Sequence, residues 1–215
     1  MRLPVLLVVV LLAGCASSAP QPAPTPTPTT SQTPTVQASV PSELLPDEDW
    51  LLVDATVTPN PASYRVTLTF SDGQVAGKGP VNQYSGQVSL GPGTIQTAGL
   101  ASTKMAGPPE RMAAEQAYLQ ALQTATIWEV GDEMLTLSDA TGPLLVYAAP
   151  DSAAAFAASL VGLSAKQAKA QIVDEGYEVR VISVDGDTRP VTMDYRPDRI
   201  NLTIVDGVVT RATQG

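Results

Sequence analysis

The chain has 215 residues, 21 acidic against 12 basic side chains, a net charge of −9, no histidine and one cysteine. Without histidine there is no Ser-His-Asp or Cys-His nucleophile, no imidazole metal site and no general base of the commonest kind, so neither an enzyme nor a bound metal or other cofactor is expected. An acidic chain with dispersed basic residues also argues against nucleic-acid binding, and a lone cysteine cannot close an internal disulfide.

In chain order, Arg2 precedes an unbroken apolar run over residues 3–12. That is the length of a signal-peptide core and short for a permanent membrane helix. Leu12-Ala13-Gly14-Cys15 then has the form of a bacterial lipobox: a branched apolar residue, two small ones and a cysteine. Residues 1–14 are therefore expected to be a lipoprotein signal peptide and Cys15 the lipidation site, carrying diacylglyceryl and palmitate-type chains. Each buried CH₂ of such chains contributes about 0.8 kcal/mol, so two or three chains hold a protein stably at a membrane. The expected location is the cell envelope, and Ala16 after the cysteine favours the outer membrane in a Gram-negative cell.

Residues 16–41 carry no charge and are rich in Pro, Thr, Ser, Ala and Gln. Proline fixes φ and lacks an amide hydrogen, so this stretch is read as extended, partly polyproline-II chain reaching about 3 Å per residue. With the lipidated cysteine it makes a tether over 15–43, either a spacer lifting the rest off the membrane or plain filler.

A first domain is expected over 44–148. Trp50-Leu51-Leu52-Val53 opens a strand; residues 64–70 alternate strictly, and Ser71-Asp72-Gly73-Gln74 turns them into Val75-Ala76-Gly77. A second hairpin is read over 87–96. A helix follows over 111–125, with Met112, Leu119 and Leu122, flanked by Tyr118 and Ala125, on its apolar face. Strands at 128–130, 134–137 and 144–147 complete a mainly antiparallel sheet with one helix. Leu68-Thr69-Phe70-Ser71-Asp72-Gly73-Gln74-Val75, Asn82-Gln83-Tyr84-Ser85-Gly86, Thr103-Lys104-Met105-Ala106 and the stretch 112–122 resemble the META domain (HslJ-like) family. Members commonly carry cysteines where this chain has Val81 and Gly107, so no redox chemistry transfers. Asn82 and Tyr84 are open to two readings, a binding surface or turn and core roles.

A second domain is expected over 155–215. Ser164 and Gln167 form a capping-box pattern, Ala165, Ala168 and Ile172 follow at helical spacing, and Gly176 ends the helix. Residues 177–182 and 199–205 read as strands, the second with Ile200, Leu202 and Ile204 on one face, ending at Asp206-Gly207. The polar connection between them is long for so small a domain. Leu160-Val161-Gly162 and Pro190-Val191-Thr192-Met193-Asp194-Tyr195-Arg196-Pro197-Asp198-Arg199 resemble potato inhibitor I and its small bacterial relatives. The resemblance implies an exposed loop that serine proteases bind as substrate, with Met193–Asp194 as the reactive bond and Thr192, Arg196 and Arg199 as loop support. A second arginine usual in that family is replaced by Asn201. An unbranched apolar Met193 suits subtilisin-, chymotrypsin- or elastase-like pockets better than trypsin-like ones.

The expected fold class is α+β: a META-type, mainly antiparallel sheet with one helix, followed by a small potato-inhibitor-I-like α+β domain. The expected function is an envelope lipoprotein whose partners are serine proteases and, through its lipid, the membrane. The alternative is an envelope stress or binding lipoprotein acting through its META domain, with the inhibitor fold an accessory.

Overall fold

Alternating apolar residues on short, closely connected strands close here into a barrel. The computed structural model describes residues 49–192 and 194–215; the signal segment 1–14, Cys15, the tether 15–43 and Met193 lie outside the described residues. The barrel strands are β1 (Trp50–Ala55), β2 (Thr67–Ser71), β3 (Gln74–Lys78), β4 (Gln83–Gly91), β5 (Thr94–Ser102), β6 (Ile127–Gly131), β7 (Met134–Asp139) and β8 (Gly142–Ala148). Each pairs antiparallel with its sequence neighbour, and β1 pairs with β8 at Leu51–Ala148 and Leu52–Tyr147, closing the ring. Closure satisfies the two backbone edges that an open sheet would expose. The inward residues include Leu52, Leu68, Phe70, Val75, Leu135, Leu137 and Leu145. Burying each such side chain contributes about 1.5–3 kcal/mol.

The predicted strand at 64–70 is shorter than its alternation suggests. Asn60 sits at φ 50° and Pro61 opens a single 3-10 turn, Pro61–Tyr64, which ends at Arg65, also at φ 50°. Proline's fixed φ and two left-handed residues override the alternating pattern, so the strand starts at Thr67. The turn aims Arg65 at the second domain, where its guanidinium donates to the Ser159 carbonyl at 2.8 Å.

Helix α1 (Pro109–Thr124) begins with proline at a position whose amide has no helical partner anyway. It buries Ala114, Glu115, Tyr118, Ala121 and Leu122, whereas Met112, expected on that face, is exposed. The helix is the connection between β5 and β6, which share one register pair, Thr94 with Ile127, and it packs on β5 and β8. Thr97 ties β5 to the helix by donating its hydroxyl to the Leu122 carbonyl at 3.1 Å.

In the second domain, α2 (Ala153–Ser159) and α3 (Ala165–Asp174) pack on a four-stranded sheet. Its strands are β9 (Glu178–Val184), β10 (Asp187–Thr188), β11 (Arg199–Val205) and β12 (Val208–Gln214), in the order β10-β9-β11-β12. Ser164 caps α3 through the Gln167 amide, and the Gln167 side chain returns the bond. The core holds Ala157, Leu160, Ala168, Ile172, Ile200, Leu202, Ile204 and Val209. Ala157 and Leu160 bring the α2 end of the chain into this core. Strands β9 and β11 are parallel, with Arg180 beside Asn201. Parallel neighbours need a crossover that carries the chain back along the whole strand length. That requirement, invisible in the local pattern, is why residues 185–198 form so long a connection.

Candidate functional site

The crossover first doubles back along β9. Asp185 and Gly186 both take positive φ in the turn, Thr188 pairs with Ser183, and the Arg189 amide donates to the Ile182 carbonyl at 2.9 Å. Beyond Pro190 the backbone leaves the sheet and side chains hold it. It rejoins where the Glu178 amide donates to the Asp198 carbonyl at 2.7 Å.

Two guanidinium groups support the crest. Arg199, at the start of β11 and 5 % exposed, donates to the Asp194 carbonyl at 2.6 Å and to its carboxylate at 3.2 Å. Its Nε donates to the Gly215 carbonyl at 3.2 Å. Arg180, from the middle of β9, donates to the Thr192 carbonyl at 3.2 Å and its hydroxyl at 3.4 Å, and lies 3.8 Å from the Asp194 carboxylate. Charge-assisted bonds of this kind are about twice as strong as neutral ones, and a planar fork orients its acceptors. The Thr192 hydroxyl bond, followed by Arg199, holds the Asp194 carboxyl below the usual carboxylate range.

Arg196 has a different place from the other two residues expected to support the loop. It pairs with Glu178 and Asp198, each at 2.9 Å, and so pins the descending end of the loop. The bond from Arg196 also lowers the Asp198 carboxyl. The residue that sequence reasoning missed is Arg180. In an alternating strand an arginine reads as an ordinary solvent-facing side chain, and its partners lie 12 and 21 residues away.

In the barrel, Asn82 and Tyr84 take turn and core roles. Asn82 is 2 % exposed; its amide oxygen accepts from the Met105 amide and the Thr103 hydroxyl, both at 2.8 Å. Glu115, buried on α1, accepts from the amides of Val81 (3.0 Å) and Asn82 (2.6 Å) and from the Asn82 side chain (2.7 Å). These bonds tie the loops at 79–82 and 103–107 to the helix. A β-carbon added at Gly107 would lie 3.5 Å from the Val81 β-carbon, so the two positions where the family resemblance implies cysteines face each other. Inside the barrel the Tyr84 hydroxyl meets that of Tyr118 at 2.6 Å and reaches the Thr67 carbonyl at 2.8 Å, and Tyr147 donates to Tyr118 at 3.1 Å. Burial pushes all three phenols well above their ordinary range. Gly77 makes room for this, since a side chain there would collide with the Thr67 carbonyl and the Tyr84 hydroxyl. A surface depression of about 640 Å³ on strands β2–β5 is lined by Thr67, Thr69, Lys78, Ser85 and Thr103, among others, and no carboxyl group lines it.

A closed antiparallel barrel is followed by a small four-stranded sheet whose crossover is strapped down by arginines. The META domain model matches residues 43–152, and the potato inhibitor I family model matches residues 159–212. The chain belongs to the META domain family and carries a potato inhibitor I family domain behind it. Among solved structures it is similar to an NMR structure of a protein from Burkholderia xenovorans, with 24 % identity, a TM-score of 0.42, and 65 % of this chain and 98 % of that one covered. It is also similar to a crystal structure of a DUF4847 family protein from Bacteroides vulgatus, with 14 % identity, a TM-score of 0.40, and 50 % and 95 % covered. No curated protein matches the chain. The inhibitor family domain points to an inhibitor rather than an enzyme, and to proteases as partners.

Proposed function

We propose that the chain is an envelope lipoprotein, anchored through Cys15 and spaced from the membrane by residues 15–43, that inhibits serine proteases. They would bind residues 191–195 as a substrate, with Met193–Asp194 as the reactive bond. The observation that carries this reading is the arginine support of the residues on both sides of Met193. Thr192 and Asp194 accept bonds from guanidinium groups of the sheet, while Val191 and Tyr195 are 42 % and 69 % exposed. The segment is thus tied to the sheet on either side of the bond and yet uncovered, which leaves it accessible to a partner.

Physical cost explains why such support matters. A floppy loop loses ordering entropy on binding and drifts away once cut; a loop held beforehand loses less and keeps its cut ends together. Met193 favours subtilisin- or chymotrypsin-like enzymes, whose apolar pockets accept an unbranched side chain.

The test is an inhibition panel with the full chain. Nanomolar or tighter inhibition of subtilisin or chymotrypsin is expected, on the scale of about −12 kcal/mol or better. It should fall away in Met193→Gly and shift toward trypsin in Met193→Lys. Rapid turnover of the loop as an ordinary substrate would overturn the reading. Anchoring is tested separately: Cys15→Ser should abolish acyl-chain incorporation and detergent partitioning, and retention of both would overturn it.

A further inference from the structure

We infer that Arg180 is a positioning residue for the protease-binding loop and that Asn201 is its clamp, the pair standing in for a second arginine on β11. The inference rests on the reading of residues 191–195 as that loop. Taken from sequence alone, Asn201 looks like a loss, because the strand beneath the loop keeps one arginine where the resemblance implies two. The geometry gives Asn201 another task.

Arg180 and Asn201 are register partners on the parallel strands β9 and β11. The Asn201 amide oxygen accepts from Arg180 Nε at 2.7 Å. This contact uses one edge of the guanidinium and leaves the far NH group directed at Thr192. The Asn201 amide nitrogen donates to the Gly215 carbonyl, which also accepts from Arg199 Nε. One connected set of bonds therefore runs from Thr192 through Arg180, Asn201 and Gly215 to Arg199 and Asp194. It joins the residues on either side of Met193 through atoms of the sheet and of Gly215. Asn201 is 9 % exposed, and in so dry a setting its amide needs both partners.

An arginine at 201 would offer no acceptor to Arg180 and would bring a second cation against it. Asparagine offers one acceptor and one donor, which is what a bridge between a guanidinium and a carbonyl requires. The support thus comes from two strands rather than one, and each residue flanking Met193 has its own arginine.

Two measurements on the full chain test this. The first is ¹⁵N relaxation of the Thr192 and Asp194 amides; the second is inhibition of subtilisin together with the rate of loop cleavage. With the wild-type chain, amide order comparable to the sheet strands is expected. In Arg180→Ala the order parameter at Thr192 should fall toward the flexible range, below about 0.6, while the amides of β9 and β11 stay rigid. Inhibition should weaken about 10- to 100-fold, the worth of one or two charge-assisted bonds, and cleavage should accelerate. Asn201→Ala should reproduce part of this, and its effect should vanish when Arg180 is already alanine. Arg180→Lys keeps the charge and stem but cannot bridge Asn201 and Thr192, so it should behave like alanine; it also serves if the alanine variant unfolds. Unchanged loop order in both Arg180 variants would overturn the inference, whatever the inhibition shows. Loosening on substitution, in a chain that inhibits no protease even as wild type, would uphold the clamp and sink the inhibitory reading instead.

Discussion

The barrel and the crossover sheet both fix an irregular loop with polar side chains, yet they do it in opposite ways. In the barrel the supporting group and the loop side chain it holds are both out of water: Glu115 is 5 % and Asn82 2 % exposed. In the second domain the Arg199 side chain is 7 % exposed while the Asp194 side chain it holds is 49 % exposed. In the barrel the bonds between loop and support are shut away from water. In the crossover the support is buried while the loop side chain it holds stays half in solvent, so the loop is ordered from beneath without being covered.

The largest effect expected from breaking this contrast is at Arg199. Arg199→Ala removes the donors to both the carbonyl and the carboxylate of Asp194, and inhibition of subtilisin should weaken by about two orders of magnitude or more. Thermal unfolding of the barrel should be unchanged. Glu115→Ala is the mirror experiment. It strands the buried Asn82 donors and the half-buried Val81 amide and should cost roughly 2–3 kcal/mol in chemical denaturation, with inhibition by the folded fraction intact. If Glu115→Ala weakened inhibition of fully folded protein, the two loops would not be independent.

A smaller gain is expected from the double substitution Val81→Cys with Gly107→Cys. The facing β-carbons lie at a separation that disulfides adopt, so the pair should oxidise spontaneously and stabilise the barrel by roughly 1–3 kcal/mol. Failure to oxidise would show that the Glu115 latch holds the loops in a geometry a disulfide cannot share.

The smallest effect concerns acid. Asp194 is held below the usual carboxylate range by the Thr192 hydroxyl and Arg199, so the loop's charged support is complete above that range and is lost as pH falls through the lowered value. Resistance of the loop to cleavage by an acid-active protease should persist while exposed carboxyls protonate and decline only below them. A decline in step with the exposed carboxyls would mean that the ion pair does not order the loop.

Local patterns carried much of this fold. The Asp72-Gly73 and Asp206-Gly207 turns adopt positive φ at both residues, and the Ser164–Gln167 box forms as its spacing suggests. Nonlocal pairing did not show itself. Closure of β1 on β8 joins residues nearly a hundred positions apart, such as Leu51 and Ala148, and no period in either strand announces its partner. Met112 misled because helical spacing defines a face without its centre; Tyr118 and Ala121 are the centre here. Arg199 was legible through the family resemblance. Arg180 was not, because its task depends on a parallel register that brings it beside Asn201.

That parallel register has one more consequence. The strand before the crossover and the strand after it are hydrogen-bonded to each other over six pairs, from Glu178–Arg199 to Val184–Ile204. A chain nicked between Thr192 and Asp194 would therefore be two pieces only on paper. The new carboxyl end would hang from Arg180 and the new amine end from Arg199, both rooted in one sheet, so their effective concentration would be set by the sheet rather than by the solution. Severing the strap leaves the buckle closed.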